Sequence, residues 1–171
     1  MFTSRAEYRI LLRQDNADLR LTEIGYKLGL ASEERYQKMM QKKTKVAELT
    51  SELSKLKISP EPANQALAEI GTSELVEKTT ALNLLKRPQV GIAEIARLGT
   101  DAAALLSNYS EEVMEQAEIA LKYESYIDRE QRMAEKIGSL EDDKIKSDFD
   151  YDKVKALSAE AREKLKRIRP E

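Results

Sequence analysis

From Ser32 to Leu56 the apolar side chains return at intervals of three and four: Tyr36, Met39, Val46, Leu49, Leu53 and Leu56, with Lys43 filling the one gap. Over so long a segment this spacing suits one structure, an amphipathic α-helix. Ser32 supplies a capping oxygen for its first turn, and Glu33 and Glu34 suit the positive end of the helix dipole. Ser59-Pro60-Glu61-Pro62 then breaks the helix, because proline lacks a backbone donor, and marks a subdomain boundary. The seam is narrow and too short for a free coiled coil, which favours a core stripe within the chain.

A second long helix is announced by Ser110 with Glu111 and Glu112 behind it, running to about Ile137. Its stripe of Val113, Ala117, Ala120, Ile127 and Ala134 is rich in small residues that permit close helix approach, so it is expected to partner the first. Between the two, glycine and proline at Gly71, Pro88, Gly91 and Gly99 punctuate short helices over about 63–70, 74–86 and 92–98. Residues 138–157 are polar and poorly periodic, and Ser158 with Glu160 opens a last helix. Near the start, Ser4 and Glu7 form a capping box that predicts a helix to about Arg13. A strand competes there, because Tyr8, Ile10 and Leu12 alternate with Arg9, Leu11 and Arg13. Asp15 to Asp18 reads as a turn, followed by a short helix from Thr22 to a glycine stop near Gly29. The expected fold is all-α, a helical domain with two long helices and several short ones.

Composition narrows the chemistry. The 171 residues include no cysteine and no histidine, which excludes disulfides, thiol nucleophiles, imidazole acid–base catalysis and ordinary zinc sites. The lack of cysteine fits a cytoplasmic address, and no apolar run approaches the roughly 18 residues of a membrane span. Residues 1–57 carry 12 basic and 8 acidic side chains, and the remainder 17 and 23, so a basic front precedes an acidic back. Such asymmetry points to two different partner surfaces.

Arginine dominates that front. In RAEYRILLRQDNADLRLT, Arg5, Arg9, Arg13 and Arg20 surround Glu7, Asp15 and Asp18. On a helix, like charges four residues apart cost about 0.2–0.5 kcal/mol per pair, so an anion should offset them. Either the neighbouring carboxylates or a bound phosphate fits, and the guanidinium fork suits both. Lys42, Lys43 and Lys45 read as a solvated helix face. KYESYIDRE sets Tyr123 and Tyr126 three residues apart beside Ile127, with Arg129 nearby; such tyrosines are packing residues or base-stacking platforms. Asp148, Asp150 and Asp152 alternate as in a calcium loop, but Lys153 and Ala159 stand where that loop needs glycine and glutamate, so no metal site is expected. No glycine-rich phosphate loop, nucleophile elbow or dinucleotide fingerprint occurs, and no catalytic or cofactor-binding residue is assigned.

MFTSRAEYRILLRQDNADLRLTEIGYKLGL closely resembles the start of the C-terminal region of the MnmG family, also called glucose-inhibited division protein A. LLKRPQV, KYESYIDREQ, FDYDKV and LSAEAREKLKRIRPE resemble it further on, in the same order. Lys146 and Ala156 depart from it, where proline and glycine are common. The resemblance implies a flavoprotein that, with its GTPase partner MnmE, installs a carboxymethylaminomethyl-type group at C5 of the wobble uridine of tRNA. FAD, NADH and methylene-tetrahydrofolate are the implied cofactors of the full-length parent, which is expected to be a homodimer. The family's FAD fingerprint and catalytic cysteines lie upstream, so this piece is expected to be non-catalytic alone.

On that reading residues 1–31 are a basic junction segment next to the FAD-binding part. Residues 32–171 are the helical C-terminal domain, lacking a terminal tail implicated in GTPase contact. Arg5, Arg9, Arg13 and Arg20 are then candidate tRNA-phosphate ligands, oriented in part by Asp15 and Asp18. Tyr123, Tyr126 and Arg129 are candidates for a GTPase or tRNA surface. The alternative is a helical scaffold for docking or dimerisation without RNA contact.

Overall fold

A computed structural model describes residues 8–141, 144–146 and 148–169. The elements run α1 (Ala17–Lys27), α2 (Glu33–Lys55), β1 (Lys57–Ile58), α3 (Pro60–Ile70), β2 (Thr79–Thr80), α4 (Ala81–Leu85), α5 (Ile92–Arg97), α6 (Thr100–Leu106), α7 (Glu111–Glu141), a 3-10 turn (Tyr151–Lys153) and α8 (Ala159–Ile168). The class is all-α, as expected, with two long helices and several short ones. The chain forms two compact units, Met1–Glu130 and Gln131–Glu171.

In the first unit the seam of α2 is its buried edge: Met39, Leu49 and Leu53 are inside. The Ser32 hydroxyl accepts from the Arg35 amide at 3.3 Å, the expected cap. Leu49 and Leu53 share one core with Leu67 of α3, Leu84 and Leu85 of α4, Ile95 of α5, Leu106 of α6, and Val113 and Ala117 of α7. α2 packs chiefly on α1 and α4, and α7 joins the same core through Val113, Ala117 and Leu121 while Ala120 faces out.

The proline-rich break lies inside this unit and is no boundary. Pro60 opens α3, where its missing N–H costs nothing. The helix expected over 74–86 is also shorter, because Thr79 and Thr80 pair in antiparallel register with Ile58 and Lys57, leaving only Ala81–Leu85 helical. The segment before that pair is held by one side chain. The Asn64 amide donates to the Leu75 carbonyl at 3.0 Å and accepts from the Leu75 amide at 2.7 Å. At the start of α5, two carboxylates meet the free helix amides, with Glu94 accepting from Gly91 N–H and Glu118 from Ile92 N–H, both at 2.9 Å.

The second unit holds the end of α7, the 3-10 turn and α8. Asp150, one of the three alternating aspartates, caps the turn by accepting from the Asp152 amide at 3.0 Å. Asp152 pairs with Lys166 of α8. The aspartates are therefore turn and ion-pair residues, and no cluster that could hold a metal ion occurs among the described residues. Ser158 caps α8 through the Ala161 amide at 3.2 Å.

Candidate nucleic-acid interface

The arginine-rich front does not continue as a helix through its described part. Tyr8 has φ +55°, in the left-handed region that a helix run of L-residues avoids, and residues 8–12 form turns. The Ser4–Glu7 capping box and Arg5 lie outside the described residues. The helix expected after Thr22 begins earlier, at Ala17, with Asn16 as its N-cap residue, and closes at Gly29 with φ +72°. That last conformation is why glycine stands there.

Because the turns leave carbonyls without helical donors, side chains supply them. Arg13 donates from Nη1 to the Ile10 carbonyl, and Asn16 from Nδ2 to the Leu11 carbonyl at 3.1 Å. Arg20 donates from Nε to Asn16 Oδ1 at 2.9 Å and from Nη2 to the Arg13 carbonyl at 3.4 Å. Arg13 Nε also ion-pairs with Asp15 at 3.1 Å. Two of the candidate arginines thus serve first to fix the segment's own backbone. Arg9 differs: it is exposed, and its side chain makes no hydrogen bond or ion pair with another described residue.

The candidate acids divide between two partners. Asp15 holds Arg13 and also accepts from Gln116 of α7 at 3.0 Å. Burial alone would raise the Asp15 carboxyl; the hydrogen bonds from Arg13 and Gln116 outweigh it, so its pKa lies below the ordinary value. Asp18 pairs with Lys42 of α2 at 2.9 Å, not with an arginine. Lys42 also reaches Glu112 of α7 at 2.8 Å, and its side chain is only 10% exposed. The reading of Lys42 as a solvated residue is corrected: it, and not Lys43, fills the gap in the α2 seam. Positions 42 and 43 both satisfy three-or-four spacing, and the facing acids decide between them. Sequence reasoning missed Lys42, Glu112 and Gln116, whose partners lie too far along the chain for local spacing to connect.

The titration of this cluster has a definite sign. Burial acts to lower the Lys42 ammonium pKa, and its bonds to Glu112 and Asp18 more than reverse this, leaving it raised. Further along α2, the Tyr109 hydroxyl donates to Glu52 at 2.7 Å, and burial together with that carboxylate pushes its pKa up to about 12. For each group the folded state holds its proton more tightly. The contribution is therefore complete below the ordinary values of 10.5 and 10.0 and is lost as pH rises through the folded pKa. A Lys42→Met variant is expected to lose about 1 kcal/mol at neutral pH, below the usual range for charged hydrogen bonds because Asp18 and Glu112 face solvent. Its stability should also fall less than the parent's between pH 10 and 12, as urea denaturation at several pH values will register.

On α7, Tyr123 and Tyr126 are 46% and 61% exposed, with ring centroids 6.4 Å apart and planes tilted by 56°. Tyr123 is about half-buried and Tyr126 more open. Arg129 is exposed as well, so these three side chains lie open on the helix.

The architecture is thus that of a helical region in two successive parts, a many-helix body and a short C-terminal bundle, with a basic, arginine-braced entry. Two family models match it in that order: the C-terminal helical domain of the tRNA modifying enzyme MnmG/GidA over residues 33–131, and the C-terminal helical bundle of the same enzyme over residues 133–171. The chain belongs to the MnmG/GidA family, as its C-terminal helical region. It is 52% identical over 170 residues to the tRNA uridine 5-carboxymethylaminomethyl modification enzyme MnmG of Cytophaga hutchinsonii, covering 99% of this chain and 27% of that one. With the enzyme of the same name from Bacteroides thetaiotaomicron it shares 47% identity, covering 100% of this chain and 28% of the relative. Aquifex aeolicus GidA, in its form II crystal, superposes with a TM-score of 0.56 at 33% identity, over 97% of this chain and 25% of that one. The chain therefore spans about a quarter of the length of these relatives.

Proposed function

We propose that this chain is the tRNA-binding and partner-binding helical region of an FAD-dependent enzyme. With the GTPase MnmE, that enzyme places a carboxymethylaminomethyl-type group on C5 of the wobble uridine of tRNA. The observation that carries the reading is the match along the whole chain to relatives named for tRNA uridine modification. FAD, NADH and methylene-tetrahydrofolate act in the larger part of a homodimeric, cytoplasmic parent. No helix among the described residues is long and apolar enough to cross a membrane. Residues 1–31 form the basic junction to the FAD-binding part, and residues 32–171 the helical domain.

Within that frame Arg5, Arg9, Arg13 and Arg20 hold tRNA phosphates, and Asp15 fixes the Arg13 fork. The open side chain of Arg9 supports this, since its guanidinium is uncommitted among the described residues. Asp18 acts indirectly, by anchoring α1 to Lys42. Tyr123, Tyr126 and Arg129 contribute to a surface for the GTPase or for tRNA. Arg9→Glu in the full-length enzyme should weaken tRNA binding and make its dependence on log salt shallower by roughly one unit for each phosphate no longer neutralised. Unchanged affinity and slope would favour the second reading, a docking scaffold that never meets RNA. The backbone-directed hydrogen bonds of Arg13 and Arg20 support that alternative.

A further inference from the structure

α1 has two unlike faces. One is engaged with α2: Thr22 is buried, Tyr26 stacks on Tyr36 with centroids 4.6 Å apart, and Asp18 holds Lys42. The other carries Leu21, Ile24 and Leu28, at the three-and-four spacing that aligns side chains along one stripe. These are 56%, 56% and 68% exposed, and Leu30 just beyond is 80% exposed. Leu30 is not loose, because its amide donates to the Gly25 carbonyl at 2.7 Å in the left-handed helix stop at Gly29. In such a stop the residue after the glycine commonly packs back on the helix. Here the same backbone holds Leu30 outward, beside the stripe. Scattered exposed leucines mean little, but an aliphatic row on a fixed helix marks a contact surface.

The length of the relatives indicates what meets it. This chain is matched almost end to end, yet covers 27% of the Cytophaga relative, and the matched models are C-terminal by description. Most of such an enzyme therefore precedes this region, and α1 is the first helix among the described residues. We propose that the Leu21–Ile24–Leu28 face, extended by Leu30, is the seat on which the N-terminal body of the full-length enzyme packs. A second copy of the chain is a poorer occupant. A two-turn row of aliphatic side chains falls short of the roughly 1,000 Å² that a stable association between separate molecules needs. A covalently joined body works at an effective concentration near millimolar and requires no such area. The inference uses family membership alone and is independent of whether the arginines bind RNA.

Ile24→Lys combined with Leu28→Lys tests it, lysine being suited to the C-terminal end of a helix. In this chain alone the double variant should leave the melting temperature unchanged, since both side chains are exposed. In the full-length enzyme it should speed limited proteolysis at the junction before α1 by about tenfold or more, because two buried aliphatic side chains are removed from the interface. A full-length variant as protease-resistant as its parent would overturn the proposal. So would a melting temperature lowered equally in both contexts, which would make the row part of this region's own packing. A dimer of this chain that the substitutions dissociate would overturn it too, in favour of a second copy.

Discussion

Replacing Leu53 by alanine is expected to destabilise the first unit by about 2–5 kcal/mol, the range for deleting a fully buried leucine and leaving a cavity. Leu53 is completely inside and shares its core with residues of α3 to α7. Since a domain's entire stability is about 5–15 kcal/mol, this one change removes a large share of it. At roughly 2–4 °C per kcal/mol for a chain of this size, the melting transition should fall by something on the order of 10 °C. Val76, almost fully exposed, provides the control: Val76→Ala should stay within about 0.5 kcal/mol of the parent. Urea titrations with an unchanged slope and a lowered midpoint for Leu53→Ala would confirm the cavity account, and equal midpoints for the two variants would refute it.

The second large effect separates two alanines of one helix. Ala117 is fully buried and Ala120 is exposed. Ala117→Leu should cost about 1–3 kcal/mol, because the added atoms must displace packed neighbours. Ala120→Leu should be nearly neutral, since the new side chain points to water. Circular dichroism melts of the two variants measure the difference directly. Equal effects would mean that α7 presents a different face to the core.

That contrast shows where sequence reasoning reached and where it stopped. The two long helices, the Ser32 cap of the first and the glycine stop at Gly29 were legible because each depends on residues within one or two turns. The buried side of α7 was legible at Val113 and Ala117 but not at Ala120, which fits the stripe by spacing alone yet faces out. The turns around Tyr8 were misread as helix for a related reason. Their carbonyls are satisfied by Arg13, Asn16 and Arg20, and such bonds follow from the path of the chain, whereas propensity describes only its preference. The short β pair escaped notice because two residues carry no periodicity. In the candidate interface, the family motif located the arginine segment. Only the geometry separates the open Arg9 from the committed Arg13 and Arg20, and only the geometry assigns Asp18 to Lys42.

The double clasp on Lys42 has a consequence for chemical labelling. An amine attacks an acylating reagent through its free lone pair, which a lysine exposes only after releasing a proton. Lys42 keeps that proton between two carboxylates and sits largely out of reach, whereas Lys43 and Lys45 stand open on the same helix. Three lysines within four positions should therefore acquire label at unequal speeds, with Lys42 last, and the lag would report how often α1 and α7 let go of it.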